Sequence, residues 1–162
     1  GKLFISIHCN SVAKKPSDAN GFEVYLLRPG RTQEATGIAE RENSVIQFEE
    51  DPKRYQKLTD ENFILVSMAH SSYMKYSERF AEYLHKEFGN HPTLSSRGVK
   101  QAGFYVLVGA SMPSVLIESG FLSNTNDAKH LSTSSGQQKF AEYVFNGIKK
   151  YRESYELEMQ DE

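Results

Sequence analysis

Two titratable residues stand at the ends of two apolar runs. Val115-Leu116-Ile117 delivers Glu118, with Gly120 two residues on, and Leu3-Phe4-Ile5-Ser6-Ile7 delivers His8, followed by Cys9 and Asn10. Runs of this length and composition read as buried strands. A carboxylate at the mouth of a buried strand is costly unless it is paired, hydrogen-bonded or used. Glu118 can cap the turn at Gly120, pair with a cation, or pass a proton in a reaction. An imidazole on a rigid strand is either an inert, hydrogen-bonded group or a metal ligand. Two strands that each end in a titratable group place a site at the carboxyl edge of an α/β sheet. Cys9 is no thiol partner for His8, because neighbouring strand residues face opposite sides. It reads as a small core residue.

The elements that must position these groups follow from pattern. Residues 2–10 and 21–27 read as strands, separated by a polar loop. Residues 32–50 have helix-forming, acidic composition, ended by Asp51-Pro52. Polar capping groups at 59–62 open an amphipathic helix that runs to Phe88 and stops at Gly89-Asn90-His91-Pro92. Further strands are expected at about 103–108 and 114–118, a helical turn at 126–131, and a closing helix over 136–151. Residues 152–162 form an acidic tail that is expected to fray at its end. The fold class is therefore α/β: a mixed, mostly parallel twisted sheet flanked by helices.

Composition narrows the function. A chain of 162 residues makes one domain with room for a core. Its 19 basic and 21 acidic residues leave a net charge of −2, without the basic excess of a general nucleic-acid binder. No run of about 18 apolar residues is present, so no membrane span is expected, and no signal peptide lies within the chain. One cysteine excludes an intrachain disulfide framework. His70, His85, His91 and His130 lack the spacing of a metal site.

Several blocks, in order, carry a resemblance. Ser6-Ile7-His8-Cys9-Asn10 and Pro113-Ser114-Val115-Leu116-Ile117-Glu118-Ser119-Gly120-Phe121-Leu122-Ser123-Asn124 resemble the signature blocks of zinc-dependent N-acetylmuramoyl-L-alanine amidases of type 3, which are cell-wall hydrolases. Gly21–Leu27, Ser77–Phe88, Arg97–Leu107 (as the penultimate strand block) and Gln137–Tyr151 are similar to the intervening blocks, so that residues 1–151 correspond to the C-terminal portion of the catalytic domain. The resemblance implies hydrolysis of the amide between N-acetylmuramic acid and L-alanine. It implies zinc as cofactor, with His8 as one ligand and the others expected upstream, and Glu118 as the catalytic carboxylate that serves the attacking water and the leaving amine. Asn10, Ser119 and Asn124 would orient the site, or else simply make turns.

The resemblance also reaches regulation and substrate. Residues 31–76 are similar to the inserted segment of cell-division amidases, whose helix covers the site and turns a glutamate toward the zinc. Glu40 and Glu42 are the candidates here, and an activator protein would relieve the block. The substrate, peptidoglycan, carries anionic peptides, so Arg97 would meet a substrate carboxylate or form a structural ion pair. A periplasmic or cell-envelope location is implied. The alternative is a non-catalytic peptidoglycan-binding or regulatory module without a complete metal site.

Overall fold

Four strands form one sheet in a computed structural model of the chain, which describes residues 1–28, 32–48, 50–51, 66, 68, 71–158 and 160. They are β1 (Phe4–Asn10), β2 (Phe22–Leu27), β3 (Ser96–Ala102) and β4 (Ser114–Phe121), in the order β1-β4-β2-β3. The β1/β4 and β2/β3 pairs are parallel and β2/β4 is antiparallel. The sheet is thus mixed and mostly parallel, with helices on both faces, as the sequence implied. β2 and β4 lie inside it and are buried along their whole length, which is why they read as apolar runs.

One face of the sheet is covered by α2 (Ser71–Gly89) and α5 (Ser134–Glu158), after α1 (Gln33–Asn43), α3 (Tyr105–Val108) and α4 (Thr125–Leu131) are counted in chain order. Phe80, Ala81, Leu84 and Phe88 of α2 and Phe140, Val144 and Tyr151 of α5 pack there against Phe22, Val24, Leu26, Val115 and Ile117. The helix spacing of these residues marks an amphipathic stripe. Phe22 and Phe88 stack with ring centroids 3.9 Å apart. The opposite face holds Tyr25, Leu27, Ala102, Phe104, Leu107 and Leu116 under Ala35, Ile38 and Ala39 of α1.

Several sequence expectations shift. The third strand lies at Ser96–Ala102, not at 103–108, and Tyr105–Val108 is a helical turn. Phe104 and Leu107 are three residues apart and both point into the core, while Val106 is exposed; a short apolar run fits either period. The helical part of the insertion divides into α1 and a 3₁₀ turn over Ser44–Phe48. The expected helix start at 59–62 and the linker after Pro52 lie outside the described residues. The closing helix continues through Glu158, because that carboxylate pairs with Lys75, 2.6 Å away, and with Arg79 on α2. The tail is therefore helix to Glu158, and its end, where fraying was expected, lies largely outside the described residues. Cys9 is exposed, not core, because its side of β1 lies at the uncovered sheet margin with Ile7.

Gly21 sets the entry to β2. Its φ is +99°, its N–H donates to Asp127 Oδ2 at 2.8 Å, and a Cβ there would collide with the Ser95 carbonyl oxygen. Gly21→Ala should therefore lower stability by about 2 kcal/mol or more, read as a fall in the urea midpoint at unchanged slope. A midpoint equal to the parent's would show that the backbone relaxes freely at this turn.

Candidate active site

The site is a row of polar side chains crossing the α1 face of the sheet. His8 on β1 is in register with Glu118 on β4, and Glu118 is in register with Glu23 on β2. Residues in register share a face, so three titratable groups lie side by side on three strands. The sequence separates His8 and Glu118 by more than a hundred positions, and the parallel pairing brings them together.

Glu118 is fully buried, and neither carboxylate oxygen has a hydrogen-bond partner among the described residues. Burial pushes its pKa up to about 8; the carboxylates of Glu42 and Glu23 add to the rise and Arg41 opposes it. A carboxyl group in this state exchanges its proton near neutral pH, which suits an acid and base used in turn. The alternatives weighed from sequence, a turn cap or an ion pair, find no support in its contacts.

α1 lies across this row. Thr32 caps it by accepting from the Ala35 N–H at 3.1 Å, and Ala35, Ile38 and Ala39 fix its rotation by entering the core. That rotation turns Glu42 inward, where Oε2 meets His8 Nδ1 at 2.7 Å. His8 Nε2 lies 3.0 Å from Ser6 Oγ. Glu40 is two positions away on the helix and is exposed, so the structure removes it as a candidate beside His8. Arg41 donates to the Ser11 carbonyl and, at 2.8 Å, to Asn10 Oδ1. Asn43 clasps the loop before α3, donating to the Gly103 carbonyl and accepting from the Tyr105 N–H at 2.8 and 2.9 Å. A cavity of about 160 Å³ opens beside His8, Glu42, Phe104 and Leu116.

Glu23 was not expected to organise the site, yet it does. It is fully buried; its Oε1 accepts from Arg97 Nε at 2.7 Å and Lys100 Nζ at 2.6 Å, and its Oε2 from Asn10 Nδ2 and Tyr25 Oη, both at 2.9 Å. Burial alone would raise its pKa, but the bonds from Lys100 and Arg97 outweigh that and hold it below the ordinary value. Glu23 is thus a fixed anion and not a proton carrier. The available signal was the one that singled out Glu118, a carboxylate inside an apolar strand. Asn10 sits within this network, bonded to both Glu23 and Arg41. Asn124 instead caps α4, accepting from the N–H groups of Asn126 and Asp127, and Ser119 is buried on β4. Arg97 pairs with Glu23 through Nε, and its Nη2 faces Glu34 on α1.

The metal expectation can be tested against the donors present. A catalytic zinc takes about three protein ligands. Among the described residues no group of three or more His, Cys, Asp or Glu is placed to hold a metal ion. His8 and Glu42 make a donor pair only, so the described residues do not themselves form the centre.

Comparison with known proteins fits this geometry. Residues 1–150 match the family model described as N-acetylmuramoyl-L-alanine amidase. The chain belongs to this amidase family. It is 31% identical over 155 residues to N-acetylmuramoyl-L-alanine amidase AmiA of Salmonella typhimurium, covering 92% of this chain and 51% of that protein. It is 30% identical to AmiC of Escherichia coli, covering 92% of this chain and 35% of that one. Among solved structures, the amidase AmiC2 of Nostoc punctiforme superimposes with a TM-score of 0.60 at 27% identity, over 94% of this chain and 58% of that chain. The amidase chain thus spans about a third to just over half of the length of these relatives. No helix among its described residues is long and apolar enough to cross a membrane.

Proposed function

We propose that the protein carrying this chain hydrolyses the amide between N-acetylmuramic acid and L-alanine in peptidoglycan, at the cell envelope or in the periplasm, with residues 1–151 as part of the catalytic domain. The observation that carries the reading is Glu118, a buried carboxyl with a raised pKa, in register with His8 inside the matching family blocks. Glu118 takes a proton from the attacking water and returns it to the departing amine of L-alanine. Glu23, through Asn10 and Tyr25, keeps the neighbouring strands in place. His8 is the ligand this chain offers to zinc, which would polarise the scissile carbonyl and the attacking water when bound.

The helix α1 acts in this reading as a strap that holds the site closed, with Glu42 on His8. An activator protein would engage the exposed Val45 and Phe48 that follow it. The strap does not rest on polar contacts alone: Ala35, Ile38 and Ala39 bury apolar surface beneath it, and opening it forfeits ~2–3 kcal/mol for Ile38 alone.

Two measurements test the proposal. Purified sacculi treated with the protein at its natural length should release soluble stem peptide, and His8→Ala should abolish the release while circular dichroism shows an unchanged fold. Release undiminished by that substitution removes His8 from the site. The 162-residue chain alone should bind zinc more weakly than about 1 μM by calorimetric titration, since among the described residues it offers His8 and Glu42 and no third donor. Tight stoichiometric binding would show a ligand set beyond these two residues. The second reading, a peptidoglycan-binding module without catalysis, is favoured only by that incomplete donor set.

A further inference from the structure

Arg97 and Lys100 are three residues apart on β3, a spacing that puts side chains on opposite faces of a regular strand. Here they converge. The β2/β3 register slips between Phe22↔Ser96 and Val24↔Val99, so that β3 carries an extra residue, and Gly98 in the bulge has φ +96°. Both cations consequently reach the same oxygen of Glu23. That carboxylate carries one negative charge and its other oxygen is already taken by Asn10 and Tyr25. One positive charge is left over, facing α1. Glu34, in the first turn of α1, meets it: its Oε1 lies 3.5 Å from Lys100 Nζ and 3.9 Å from Arg97 Nη2. Beside this contact, between the start of α1 and β3, is a cavity of about 250 Å³ lined by Thr32, Glu34, Ala35, Val99, Lys100 and Gln101.

We propose that Lys100 and Arg97 form a subsite for a carboxylate of the substrate peptide and that Glu34 occupies it as an internal mimic while the strap is closed. This deepens the amidase reading and rests on it. Both cations end on Glu23, whose strand neighbours that of Glu118 at about 4.8 Å. The subsite therefore lies close to the proposed point of cleavage, and the carboxylate meant is that of the residue after the alanine whose amide is cut, about two residues of extended chain from it at most. α1 then holds the closed state with a carboxylate at each end, Glu34 on the cations and Glu42 on His8. Binding of an acidic peptide competes with the first of them. Substrates whose second-residue carboxylate is amidated lose the contact.

The test is equilibrium binding to the 162-residue chain of two synthetic probes, acetyl-L-Ala-γ-D-Glu-L-Lys-amide and the same peptide with the glutamate α-carboxylate converted to carboxamide. The free-carboxylate probe should bind Glu34→Gln at least fivefold more tightly than the parent chain, and the carboxamide probe should change by less than twofold. Adding Lys100→Met to Glu34→Gln should erase the gain. Because Lys100 also supports Glu23, the contrast between the two probes on Glu34→Gln alone is decisive, Glu34 being half exposed. An equal gain for both probes would mean that the substitution merely loosens α1, and no gain would mean that the cations are structural; either overturns the subsite. Discrimination in a protein that cleaves no muramoyl amide would overturn the hydrolase reading and leave the subsite standing. Cleavage without discrimination would do the reverse.

Discussion

Glu118→Gln in the natural-length protein should lower peptidoglycan hydrolysis at least ~100-fold, the usual loss when a general acid–base group is removed. The same substitution should stabilise the folded chain at alkaline pH. In the folded state the Glu118 pKa is pushed up to about 8 by burial and then by Glu42, against an ordinary 4.5. Between these values the folded chain holds a proton that the unfolded chain has released. The contribution of this group to stability therefore falls as pH rises from 4.5 and reaches its full cost above 8. Glutamine does not titrate. Its advantage in unfolding free energy should grow across that window to on the order of 1–3 kcal/mol. Loss of activity with a pH-independent stability difference would mean that Glu118 is held ionised by a partner, whereas its oxygens meet no hydrogen-bond partner among the described residues.

The second large effect concerns the strap. Glu42→Gln keeps the shape of the side chain and removes the charge that faces His8 at 2.7 Å. A charge-assisted hydrogen bond contributes about 1.5–3 kcal/mol, so the open fraction, and with it basal hydrolysis, should rise at least ~10-fold. Removal of residues 32–50 as a whole is a poorer test than it looks from sequence. It would strip Ala35, Ile38 and Ala39 from Tyr25, Phe104 and Leu116 and expose a core face. If Glu42→Gln folds normally and hydrolyses no faster than the parent, α1 is a scaffold and not a gate. The same comparison with Glu40→Gln should show no change, since Glu40 is exposed on the far side of the helix.

What the sequence made legible follows from burial. β1 and β4 deliver His8 and Glu118 from apolar runs that read as strands, and the closing helix shows its stripe of Phe140, Val144 and Tyr151. β3 was misplaced because it carries Arg97, Lys100 and a bulge at Gly98 in place of an apolar alternation. Its cations make sense only once Glu23 is known to lie beneath them. Composition marked the acidic segment but not its phase. Glu40 and Glu42 are equivalent in the sequence, and only the burial of Ile38 decides which turns inward. For Asn124 the sequence left a site-orienting role and turn chemistry open, and its side chain caps a helix.

The central claim is the bond that is cut, and product chemistry decides it most directly. Purified peptidoglycan digested with the natural-length protein should yield, by mass spectrometry, stem peptides with a free L-alanine amino terminus and glycan strands in which the lactyl carboxylate of N-acetylmuramic acid is free. Neither product should form with Glu118→Gln. Products in which the lactyl–alanine amide is intact, whether from cuts within the glycan or within the peptide, would contradict the account.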